Sequence, residues 1–129
     1  DNFISGKRNN LSHHNKKKVK IIKLDVSKSN NLDKYFKGVD YVFHLAALAQ
    51  IIPSIKYPKK YFKNNVIGTV VLLDKLIECG VKTFVYSSSA ATYGDPGFKK
   101  CKESDVPNPI SAYGGSKLMM EMICKFKQL

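Results

Sequence analysis

The chain has 129 residues, 43% of them apolar, and a formal net charge of +12; this is enough for one domain with a core and too apolar for a disordered polymer. It has no apolar run near the roughly 18 residues of a membrane helix, and no secretory leader is expected at its start. Of its 22 basic residues only Arg8 is Arg, and Arg leads in base and phosphate-fork contacts, so the charge reads as compositional background, with neither nucleic acid nor membrane as a partner.

Residues 1–18 are polar and read as a loop with at most a short helical piece; Lys16-Lys17-Lys18 is a solvated stretch of it. "VKIIKL" (19–24) is β-branched and ends at Asp25, which predicts a strand. "SNNLDKYFKG" (29–38) has a Ser/Asn start, three apolar residues and a Gly stop, a short helix. "DYVFHLAA" (40–47) is a continuous apolar strand of the kind buried on both faces of a parallel sheet. Pro53 and Pro58 make residues 49–58 a loop. From 59 to 79, Phe62, Val66, Val70, Leu73 and Ile77 recur at spacings of three and four, and Gly80 follows as a stop. "KTFVYSS" (82–88) is the next strand, residues 94–110 a Gly/Pro-rich loop, and Ser111 opens a second long helix. Its apolar face is Leu118, Met119, Met122, Ile123 and Phe126.

Strand and helix alternate, so the chain is α/β with a doubly wound parallel sheet, all of 1–129 in one domain and no second domain. Cys79, Cys101 and Cys124 show no metal-ligand spacing, and an odd count favours a reducing, cytoplasmic setting. Cys79 and Cys124 are expected as buried hydrophobes.

Three strand ends fall on one sheet edge, where ligands bind in such folds: Asp25-Val26, Leu45-Ala46-Ala47 and Ser87-Ser88-Ser89. Small residues at the middle end let a flat group approach the backbone. The serines either meet a ligand or cap the next helix. Tyr113 and Lys117, four apart, share a helix face. An ammonium beside a phenol favours the phenolate, which can act as a general base; the pair taken alone also fits an exposed helix couple.

"SSSAATYGD" followed by "PNPISAYGGSKLMME", with "DNFISGKRNNL", "LDV", "FHLAALA" and "YFKNNVIGTVVLLD" in order, resembles the extended short-chain dehydrogenase/reductase family. The resemblance is to its NAD-dependent nucleotide-sugar epimerases and dehydratases, nearest the UDP-glucose and UDP-N-acetylglucosamine 4-epimerase branch, and it covers nearly the whole chain. It implies a partial Rossmann-like domain, without the first βαβ phosphate-binding unit and the C-terminal substrate part; the 129 residues alone are then expected to be inactive. It implies NAD as cofactor, a UDP-sugar as substrate, and a homodimer through the two long helices.

By the same resemblance Ser89, Tyr113 and Lys117 are the catalytic trio, with Tyr113 and Lys117 also at the cofactor. Asp1 and Asn2 lie at the adenosine ribose, Asp25 and Val26 flank the adenine, and Leu45, Ala46 and Ala47 lie against the other half. Asn65 supports the cofactor side, its alternative being a helix-surface Asn, and Ser87 finishes the strand beside the cofactor. Ala90 and Ala91 stand where dehydratases carry an acidic pair, which favours epimerisation over loss of water. The competing readings are another nucleotide-sugar enzyme on this scaffold (decarboxylase, reductase or dehydratase) and a non-catalytic basic nucleotide-binding domain.

Overall fold

The computed structural model describes residues 1–15, 17–28 and 32–127. Strand β1 (Tyr41–His44) and strand β2 (Thr83–Tyr86) pair in parallel, with Tyr41 opposite Thr83 and His44 opposite Tyr86. Between them the chain runs through α2 (Ile51–Lys56), α3 (Pro58–Tyr61), a π-helical turn (Phe62–Ile67) and α4 (Gly68–Glu78). Before β1 comes α1 (Asp33–Phe36), and after β2 a 3₁₀ turn (Ala90–Thr92), an irregular stretch and α5 (Ala112–Phe126). The start of the helix expected at 29–38 and Lys16 of the Lys run lie outside the described residues.

Several expectations change, two of them in the element assignments. Residues 19–24 form no strand. This segment runs beside Asp1, with Leu24 N–H on the Asp1 carbonyl at 3.0 Å and the Asp1 amino group 3.4 Å from Ile22 O. Those two bonds are too few for a ladder. Residues 49–58, expected as a loop, are helical instead. Pro53 stands in the first turn of α2 and Pro58 opens α3, positions where the missing N–H costs nothing.

The core has two lobes that meet at Phe84. Leu32, Leu72, Leu76 and Val81 form one, joined by Leu24 and Val26; Val66, Leu73 and Met120 form the other. The π-helical turn carries an extra residue and shifts the phase of the helix after it. The buried face of α4 therefore passes through Leu72, Leu73 and Leu76, and Ile77 is exposed. On α5 the expected apolar face is also turned: Met120, Ser116 and Lys117 are buried, whereas Met119, Met122 and Phe126 are exposed. Cys79 and Cys124, expected as buried hydrophobes, are only partly buried, and Cys101 is exposed. The strand expected to be buried on both faces is covered on one, since Tyr41 and Phe43 are open while His44 is buried. No described helix is long and apolar enough to cross a membrane.

Candidate active site

Beyond β1 the chain enters Leu45-Ala46-Ala47-Leu48, and a cavity of about 190 Å³ opens there. Asp1, Asn2, Asp25, Val26, Leu45, Ala46 and Ala47, all expected at the cofactor, line this one cavity. Asp1 Oδ1 accepts the Phe3 N–H at 2.5 Å, and its other oxygen lies where a Gly6 side chain would begin (2.6 Å). Asp25 Oδ1 accepts from the Ser27 hydroxyl at 2.7 Å and the Ser27 N–H at 3.1 Å. The Ser27 hydroxyl bond, helped by Lys28, holds the Asp25 carboxyl below the usual carboxylate range.

Asn65, Gly68 and Thr69 hold the cavity wall together. Asn65 is 2% exposed, so the helix-surface alternative is wrong. Its side chain does not line the cavity. It grips Leu48 on both sides, accepting the Leu48 N–H at 2.8 Å and donating to the Leu48 carbonyl at 3.0 Å, and also donates to Ser116 Oγ at 3.1 Å. A Cβ on Gly68 would sit 2.6 Å from the Ser27 Cβ, so only glycine lets the Asp25–Ser27 loop touch the helix. Thr69 Oγ1 donates to the Asn65 carbonyl at 2.6 Å. Its single hydrogen is thereby committed, so at 2.9 Å it accepts from His44 Nε2, which carries the proton. Burial, then the nearby Lys117 cation, pushes His44 down to about 4, keeping it neutral.

The other expected residues gather behind the strand ends. Lys117 is 3% exposed. Its Nζ donates to the Ser87 carbonyl at 2.7 Å and lies 4.8 Å from the Tyr86 ring centre and 5.9 Å from that of Tyr113. Burial lowers the Lys117 pKa. Ser87 thus meets Lys117 through its backbone. Ser88 Oγ donates to Glu121. Ser89 does cap the next turn, accepting the Ala91 N–H at 3.2 Å. That bond uses a lone pair and leaves the hydroxyl hydrogen free to donate.

The Ser89 turn and the Tyr113 turn are pressed together. A Cβ on Gly114 would lie 2.2 Å from the Ala91 carbonyl oxygen. Ser111 caps α5 by accepting the Gly114 N–H at 3.1 Å. Tyr113 is fixed through its backbone: its N–H donates to Ser54 Oγ at 3.1 Å, and its carbonyl accepts from Ser116 Oγ at 2.7 Å. The Ser89, Tyr113 and Lys117 side chains are not among those lining the cavity.

His44, Thr69, Ser116 and Ser54 escape the sequence reading. His44 stands inside "FHLAALA" and Thr69 closes "NNVIGT", so their motifs are visible while their bond to each other is not. Ser54 carries no signal, being one serine between two prolines.

The family model described as NAD dependent epimerase/dehydratase family matches residues 3–126. A UDP-glucose 4-epimerase from Lacticaseibacillus casei is 37% identical over 125 residues, 95% of this chain and 37% of that protein. One from Streptococcus mutans is 50% identical over 88 residues, 68% of this chain and 26% of that protein. Among solved structures, a UDP-N-acetylglucosamine 4-epimerase from Methanobrevibacter ruminantium M1 in complex with UDP-N-acetylmuramic acid has a TM-score of 0.89 at 37% identity, covering 98% of this chain and 40% of that one. A UDP-glucose 4-epimerase from Thermus thermophilus in complex with NAD gives 0.86 at 29% identity, covering 98% and 40%. The chain thus spans between 26% and 40% of the length of these relatives.

Proposed function

The chain belongs to the NAD dependent epimerase/dehydratase family, and on that premise we propose that the protein carrying it interconverts the C4 epimers of a UDP-hexose, UDP-glucose or UDP-N-acetylglucosamine, with NAD as its bound cofactor. One observation carries the proposal. Seven of the eleven residues expected at the cofactor line one cavity, and the Lys117 ammonium holds the Ser87 carbonyl at 2.7 Å with the Tyr113 ring centre 5.9 Å away.

The residues present fit NAD. Asp1 and Asp25 offer carboxylate acceptors for ribose hydroxyls and an adenine amino group, and the small side chains of Ala46 and Ala47 leave room for a flat ring against the backbone. When bound, NAD supplies reversible hydride abstraction at the sugar C4. The protein's own part is proton transfer and alignment. Tyr113 takes the proton of the sugar 4-hydroxyl and returns it after the sugar has presented its other face. The Lys117 cation favours the phenolate; one of its three hydrogens holds Ser87, and two remain for hydroxyls. Ser89 donates its free hydrogen to the same sugar oxygen. Ala90 and Ala91 cannot move a proton, which disfavours dehydration.

A cytoplasmic homodimer belongs to the same reading. Exposed Met119, Met122 and Phe126 along α5, with Ile67 on the other long helical stretch, support self-association.

The test uses the full-length protein that carries this chain. It is incubated with each UDP-sugar, without added cofactor, and C4 epimers are followed by proton NMR. Galacto-configured product that disappears in Tyr113→Phe is expected. No epimer from either sugar would refute the proposal, and net NAD(P)H consumption would point to a reductase.

A further inference from the structure

Tyr113 is the second residue of α5, and an N–H there has no partner inside the helix. The helix's own cap, Ser111, serves the next residue, Gly114. The Tyr113 N–H is met from 59 residues away by Ser54 Oγ, at 3.1 Å. Ser54 is fully buried at 0% exposure, and its own hydrogen is fixed on the Ile51 carbonyl at 2.6 Å. With the hydrogen so placed, the oxygen lone pairs face Tyr113 and the hydroxyl cannot rotate away.

The carrier of Ser54 gives the contact its meaning. Short helix α2 begins three residues after Leu48, at the end of the segment that lines the cavity and is gripped by Asn65. Ser54 therefore ties the first turn of α5 to the cavity wall. Ser116 ties the Tyr113 carbonyl to the same wall through Asn65. The Tyr113 amide is thus held from outside the helix by Ser54, and its carbonyl by Ser116 of the same helix, which Asn65 in turn holds. The phenol hangs from a backbone anchored across the fold at two points, the Tyr113 amide and the Ser116 hydroxyl.

The geometry points to Ser54 as a positioning residue for Tyr113: through the Tyr113 amide it sets where the phenol stands relative to Lys117 and the cavity. Its effect on turnover rests on the epimerase reading, whereas the bond itself does not. A small displacement of a reacting group costs rate far more than binding.

The test compares the full-length protein with Ser54→Ala and Ser54→Thr, the second keeping the acceptor oxygen. Amide hydrogen exchange by NMR is read at Tyr113 and Gly114, and kcat, KM and bound NAD are measured for the UDP-sugar. In Ser54→Ala, Tyr113 exchange is expected to quicken about tenfold, Gly114 exchange to stay as it was, and kcat to fall about tenfold with KM and bound NAD kept. Ser54→Thr is expected to restore most of kcat. Unchanged Tyr113 exchange, or a lower melting temperature with kcat intact, would overturn the inference. Should Ser54→Ala fail to fold, the parent decides: Tyr113 exchanging as slowly as capped Gly114 supports the inference, and as fast as Ala112 overturns it. A parent that epimerises neither sugar refutes the proposed function alone, because the exchange comparison still tests the bond.

Discussion

Two adjacent glycines of α5 are expected to respond in opposite directions when each is given a methyl group. Alanine is better than glycine inside a helix by about 1 kcal/mol, and that gain applies equally to Gly114 and Gly115. At Gly115 the new Cβ meets only the Phe62 Cζ, at 3.8 Å, an ordinary contact. Gly115→Ala should therefore stabilise, by roughly 0.5–1 kcal/mol. At Gly114 the Cβ would stand 2.2 Å from the Ala91 oxygen, 3.0 Å from the Ala91 carbonyl carbon and 3.1 Å from Pro109 Cβ. Two of these are backbone atoms and cannot rotate aside, so α5 and the Ser89 turn must part by about 1 Å to restore normal contact. Overpacking of this kind costs about 1–3 kcal/mol, and the movement also strains the Ser111 cap, worth about 1 kcal/mol. After subtracting the helix gain, Gly114→Ala should destabilise by roughly 2 kcal/mol. Denaturant unfolding followed by circular dichroism on the parent and both variants reads the two signs. A Gly114→Ala protein as stable as the parent, or two variants of the same sign, would refute the close packing of the Ser89 and Tyr113 turns.

Removing the buried Asn65 side chain leaves the part-buried Leu48 amide and carbonyl without their partner together, so Asn65→Ala should cost roughly 2 kcal/mol in the same assay. His44 is held down to about 4 in the folded protein, so the stability it contributes is full above about pH 6.5 and is lost as pH falls through 4. That loss is at most about 3 kcal/mol, and pH-dependent melting of His44→Gln should show a flatter acid limb. An equally steep limb would show that His44 is not the proton acceptor. Met119→Lys with Met122→Lys should shift the full-length protein from dimer to monomer in sedimentation, and a monomeric parent would exclude the α5 stripe as the contact.

What could be read from sequence divides along a physical line. Leu45, Ala46 and Ala47 are legible because they follow a strand, β1, whose end opens on the sheet edge; Asp25 and Val26 reach the same cavity although the strand expected before them does not form, and Asp1 and Asn2 are legible only through the resemblance. Tyr113 and Lys117 are legible because helix spacing alone puts them on one face. The lost strand at 19–24 has the right residues, but strand character is a property of a pair, and this segment meets Asp1 at only two points. The helices α2 and α3 are hidden by prolines that read as breakers until their place in a first turn is known. Asn65 could be located by its motif but not given its task. Gripping Leu48 and Ser116 together depends on contacts across 17 and 51 residues that no local pattern records.

The π-helical turn at Phe62–Ile67 makes this helix unusual as a target for deletion scanning. Losing one residue from an ordinary helix throws everything after it out of phase by about 100°. A wide turn already holds one residue more than an α-turn needs, so excising exposed Lys63 lets the turn close to regular α geometry while α3 and α4 each keep their own neighbours. What such a deletion cannot keep is the aim of Asn65, which the wide turn sets. Length and purpose come apart here: the scaffold can give up a residue that the site cannot, and a folded but inert protein is the signature a deletion library would show at this turn.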